Sequence, residues 1–171
     1  MKGFPRALSR AKPQRTAVRK QTIRLTALAV TIAGATGVGW GTAVLGDLPE
    51  GNILFHGAIA YLQVTKTAAA TGITTTFDGD YSIGTTATAD ATLSGPDINI
   101  VTSTALGAAT AGVSPVARGV GGTAGTLLDN TDNSLELNLN VLIDDAAISA
   151  DSQVVTVTGV VELVYSVLLD D

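Results

Sequence analysis

The chain has 171 residues, no cysteine, one histidine and a formal net charge of −5. That length holds one domain of ordinary size, able to bury a core without cross-links, and the missing cysteine excludes disulfides, thiolate metal sites and cysteine nucleophiles together. Charge is divided along the chain: eight of the ten basic residues lie within positions 1–24, which contain no acid, while residues 25–171 hold all 15 acids against Lys66 and Arg118.

Residues 1–24 read as a basic extended arm. Two prolines and no apolar periodicity leave it without a core of its own, so a partner is needed to hold it. Its candidate interface residues are Arg6, Arg10, Lys12, Arg15, Arg19, Lys20 and Arg24, and an acidic protein face is the expected partner. Phosphates would also suit eight cations. Phe4 alone could stack on a base, however, and no nucleic-acid module follows, so nucleic acid is not expected.

Residues 25–46 carry no charge and, after a basic stretch, resemble the core of a secretory signal or a membrane span. The long basic region and dilution by five Gly and four Thr favour an extended strand or linker segment, with no membrane partner. Gly37, Gly39 and Gly41 around Trp40 predict a turn between two strands.

Residues 47–171 read as a β-sandwich domain. Thr occurs 24 times and Gly 19 times against three Glu, a balance that suits pleated strands and turns. Asp47–Gly51 is a turn signal. Residues 52–65 are apolar on both faces, as a central strand covered on both sides would be. Turns are expected at 78–80 and 94–96, a strand from Asp97 to Thr102, and a loop with one helical turn over 104–126.

In residues 134–144 the apolar Leu135, Leu137, Leu139, Val141 and Ile143 alternate with Ser134, Glu136, Asn138, Asn140, Leu142 and Asp144, which predicts a strand with one wet face. From Val154 to Leu169 a second alternating strand carries Gly159 at a bend or bulge. Residues 144–152 would connect these two as antiparallel neighbours. The fold class is therefore all-β: an antiparallel β-sandwich, jelly-roll or Greek-key like, with an extended basic N-terminal arm.

Catalytic chemistry finds no support. His56 sits in an apolar strand, as a satisfied core or interface histidine would, and no G-x-S-x-G elbow exists. The glycine-rich run 119–125 lacks the lysine of a phosphate loop. Asp78/Asp80, Asp129/Asp132 and Asp144/Asp145/Asp151 lack EF-hand spacing and suit turns and caps. No catalytic residue, cofactor or metal ligand is expected.

The segments GDLPEGNILFHGAIAYLQV (46–64), FDGDYSIGTTATADATLSGPDINI (77–100), STALGAAT (103–110) and LDNTDNSLELNLNVLIDDAAISAD (128–151) resemble virion structural proteins of tailed, podovirus-like and marine or cyanobacterial phages. The resemblance implies a capsid decoration (cement) protein or a head-fibre base, with no catalytic residues. It implies the major capsid protein as partner, self-association as a trimer or dimer, and a place on the capsid surface of the virion. Two other classes stay open: an exported cell-surface or pilus-like protein with an N-terminal targeting segment, and a nucleic-acid-binding protein inside a particle.

Overall fold

Apolar residues repeating every second position must bury one face, and nine strands do so here. The computed structural model describes residues 17–34, 37–144 and 148–168. The strands are β1 (Val18–Ile32), β2 (Gly39–Asp47), β3 (Gly51–Lys66), β4 (Gly79–Gly84), β5 (Val101–Ala105), β6 (Ala117–Val120), β7 (Leu127–Asn130), β8 (Glu136–Ile143) and β9 (Gln153–Leu168). One sheet has the order β1-β9-β3-β6, with β7 also pairing β3; the other has the order β2-β8-β4-β5. All pairings are antiparallel. This two-sheet order is that of a jelly roll.

The core lies between the sheets. From the five-stranded sheet come Val30, Ile53, Leu62, Val157 and Val161; from the four-stranded sheet come Ile83, Leu139 and Val141, all fully buried or nearly so. Each such side chain stabilises the sandwich by roughly 1.5–3 kcal/mol through burial. Tyr81 crosses from β4 to the opposite sheet, where its hydroxyl lies 3.2 Å from both the Ala60 and the Ala117 carbonyl oxygens.

Burial pushes the Tyr81 phenol up to about 12, against the weaker opposing pull of hydrogen bonds with the Gly119 backbone and the Thr104 side chain. The folded-state value lies above the ordinary 10.0, so this contribution is fully present below pH 10 and fades as pH rises toward 12. Tyr81→Phe should cost about 1–2 kcal/mol at neutral pH. Urea titrations of both proteins should show the gap narrowing above pH 10; a constant gap would contradict the buried phenol.

Several sequence expectations are corrected. Trp40 lies inside β2, and the turn falls before it. Gly39 and Gly41 are strand positions where an added Cβ would strike Ile32, Ile148 or the Thr31 carbonyl. β1 and β2 pack together but share no ladder among the described residues; the isolated bridge between Ala33 and Trp40 joins their ends, and the two strands belong to separate sheets. Residues 104–126 contain β6 and no described helix; the 3-10 turn is at Gly95–Ile98. Ala117 and Gly119 face inward there but are too small to produce an apolar alternation.

β8 and β9 are not neighbours, because β8 pairs β2 and β4 while β9 pairs β1 and β3. Both strands feed the same core, and alternation reports the buried face rather than the paired strand. Nor does β8 have a wet face: Asn138, Asn140 and Leu142 are buried together with their apolar neighbours. The segment 85–99 folds over that side of the sheet. Asn140 binds it by donating to the Thr86 and Asp97 carbonyls and accepting from the Thr88 amide and the Thr42 hydroxyl.

Candidate subunit-interaction face

The sandwich has two outer faces, and they differ. That of the four-stranded sheet is covered over β4 and β8 by residues 85–99, with Ser82 Oγ donating to the Asp97 carbonyl at 2.8 Å beside the Asn140 bonds, while Val44 of β2 stays exposed at 51% on the same side. Across the outer face of the five-stranded sheet no described element packs.

Strand register places its residues in rows. Arg24, Val160, Tyr61 and Arg118 form one row across β1, β9, β3 and β6; Thr22, Glu162, Ile59 and Val120 form the next. Further along come Val18, Ser166, Leu54 and Leu127. Four large hydrophobics of this face are exposed: Tyr61 at 44%, Val120 at 47%, Leu127 at 56% and Val18 at 65%. Leu54, Ile59, Val160 and Val164 are half-buried between them. Alternation also puts Val116, exposed at 61%, on this side beside β6. These exposed apolar side chains share the face with charged neighbours, and exposed apolar patches rimmed by polar residues are candidates for interaction sites.

The β3 run at 52–65 is thus apolar on both faces for two reasons. Ile53, Phe55, Leu62 and Val64 serve the core, whereas Leu54, Ile59 and Tyr61 serve the outer face. Gly57 sits at a register shift between Phe55 and Gly57 that resets the alternation midway. His56 lies at the same shift, half-buried, with Nε2 2.8 Å from Ser166 Oγ. Neither partner contacts a carboxylate.

Three of the five described cations belong to this face. Lys20 and Arg24 stand on β1, and Arg118 stands on β6. Lys20 Nζ is 2.9 Å from Glu162, the single ion pair among the described residues. It is exposed and is worth little by itself. Arg19 points to the opposite side, in register with Tyr165. Arg6, Arg10, Lys12 and Arg15 lie outside the described residues. β1 begins at Val18, so it runs through the charge boundary between Arg24 and Leu25.

Three of the carboxylates noted in the sequence, Asp129, Asp132 and Asp151, hold local backbone or neighbouring loops. Asp129 accepts the hydroxyl and amide of Thr131, which hold its carboxyl below the ordinary range. Asp132 accepts from Ser134 in the same way, and Asp151 accepts the Gly34 amide. Among the described residues no three His, Asp or Glu side chains gather as a metal site, and no helix is long and apolar enough to cross a membrane.

No family model matches the chain, and no match is found among curated proteins. Solved structures do resemble it. A chain of the cyanophage Pam1 capsid asymmetric unit is 19% identical with a TM-score of 0.45, over 98% of this chain and 100% of that one. A chain from the infectious bursal disease virus Gx strain structure is 15% identical with a TM-score of 0.43, over 86% of this chain and 32% of that one. Both are structures of virus particles.

Proposed function

We propose that this chain is a non-enzymatic structural subunit of a virion: a decoration, or cement, protein of a tailed-phage capsid. The observation that carries this reading is the outer face of the five-stranded sheet, where exposed Tyr61, Val120, Leu127 and Val18 lie together, while the other outer face is covered over β4 and β8 by the chain's own residues 85–99. The segments that resemble phage virion proteins, 46–64 and 128–151 among them, supply β3, β7 and β8.

In this role the acidic sandwich sits on the capsid surface beside further copies of itself. The basic leader spreads over acidic faces of major capsid subunits through Arg6, Arg10, Lys12 and Arg15, continued by Arg19 where β1 begins. Binding adds buried area between capsid subunits; specific interfaces of this kind bury about 1,200–2,000 Å².

Because β1 starts at Val18, the informative deletion stops at residue 16 and leaves the strand whole. Removing residues 1–16 should release the protein from purified shells while its unfolding midpoint stays that of the full chain. Occupancy unchanged by the deletion, read on washed particles by gel densitometry, would end the proposal for the leader. Retention on shells that survives high salt would argue against the electrostatic contact, since exposed charge pairs are screened.

A further inference from the structure

We infer that the outer face of the five-stranded sheet takes a second copy of this chain head to tail, against the second copy's acidic end. The inference rests on the reading of the chain as an assembly subunit and names the surface and its occupant.

Charge complementarity selects the occupant. The face carries Lys20, Arg24 and Arg118, with Glu162 tied to Lys20 and Asp129 at its margin. That is three of five described cations but two of twelve described carboxylates. The rest of the described surface is therefore strongly acidic, and face-to-face pairing of two copies would set arginines against arginines. Pairing the face with a different surface of the next copy brings opposite signs together.

The acidic end has a local reason to accept cations. Asp47 and Glu136 are directly opposite on β2 and β8, both exposed, and like charges so placed destabilise a sheet. Glu50 and Asp132 lie in the adjoining turns, both exposed, and none of the four is ion-paired among the described residues. Arg24 and Arg118 stand in one row on either side of Val160 and Tyr61, so an aromatic anchor sits between two forked cations. Tyr and Arg are the residue types that dominate interface energetics.

The area is adequate. Four strands at about 4.8 Å spacing and eleven residues at about 3.3 Å rise give a face of roughly 600 Å², close to one side of a standard interface. Because face and acidic end are different surfaces, the contact is heterologous, and it produces a closed ring when the rotation between copies closes.

Sedimentation of the full chain tests this at concentrations up to about 100 μM, where micromolar affinities saturate. Wild type should sediment as an oligomer. Tyr61→Glu, R24E/R118E and D47K/E136K should each weaken association at least about 100-fold, with unfolding midpoints close to wild type. Val120→Lys supplies a second face variant should Tyr61→Glu fold poorly. The combined R24E/R118E/D47K/E136K chain should associate again, because reversal on both surfaces restores the complement.

A monomeric wild type overturns the inference. So does a wild-type oligomer that Tyr61→Glu and Val120→Lys leave intact, or a combined variant that stays apart. Monomers that bind shells through Tyr61 would assign the face to a capsid subunit, and association gained on deleting residues 1–16 would assign it to the leader; both outcomes refute a second copy. Oligomers that ignore shells would instead remove the decoration role and leave this contact standing.

Discussion

Asn140→Ala should cost about 3–4 kcal/mol and expose residues 85–99 to protease before the rest of the domain unfolds. The side chain has no exposed surface and satisfies its full hydrogen-bonding capacity: two donors to the Thr86 and Asp97 carbonyls, and two bonds accepted from the Thr88 amide and Thr42 hydroxyl. Truncation leaves the buried Thr88 amide without a replacement, which costs about 1–3 kcal/mol, and removes weaker bonds from the half-buried Thr42 and Asp97 and the exposed Thr86. Relaxation and entering water recover part of that, which is why the expected total falls below the sum. Asn140→Asp should be no better, since it keeps the acceptors, removes the donors and introduces a charge where none is paired.

Urea unfolding measures the loss, and limited proteolysis with mass readout locates it. A loss under about 1 kcal/mol, or first cleavage elsewhere, would mean that Asn140 does not hold the roof in place. The roof matters to the functional reading. Without residues 85–99 the outer faces of β4 and β8 would be uncovered as well, and the proposed contact through the five-stranded sheet would lose selectivity.

Gly159→Ala should be comparably damaging, at roughly 2–4 kcal/mol, for a backbone reason. Gly159 has φ +151, a conformation that side-chain-bearing residues adopt with strain. Its position between Leu25 of β1 and Leu62 of β3 puts an added Cβ directly against the Tyr61 carbonyl oxygen and close to the Leu62 side chain. β9 pairs with both β1 and β3, so it cannot move away from one without disturbing the other. The register shift between Leu25 and Leu28 is opposite, where Ala27 takes φ 50 and its amide meets Thr158 Oγ1 at 3.4 Å.

Thermal unfolding of the G159A chain should show a midpoint many degrees below wild type; a change under ~2 °C, worth well under 1 kcal/mol in a domain of this size, would contradict the steric account. The same substitution should disturb Tyr61 through its carbonyl, so association should weaken along with stability. Tyr61→Glu separates the two, since it removes the anchor without touching the β3–β9 backbone.

Much of this architecture was legible in residue order. Period-two alternation marked β8 and β9, turn residues framed β3, and the Thr-rich, Glu-poor composition selected strands over helices. Short strands with closely spaced turn signals predicted a sandwich of jelly-roll or Greek-key type, and the strand order is that of a jelly roll. Gly159 was legible as a special position, although the register shift it accompanies lies on the partner strand. Even the interaction face left a trace, because β3 is apolar at Leu54, Ile59 and Tyr61 as well as at its core positions.

By itself, then, the sequence determined the predominance of strands, the inward sets of β8 and β9, and the separation of a cationic leader from an acidic body. These are local properties, set by side-chain branching, period and charge within a few residues. The partners of each strand, the roof over Asn140 and the gathering of Arg24, Tyr61 and Arg118 into one row were decided by tertiary structure. Such contacts join residues tens of positions apart, and an alternating pattern carries the direction of a side chain but not the identity of the strand beside it.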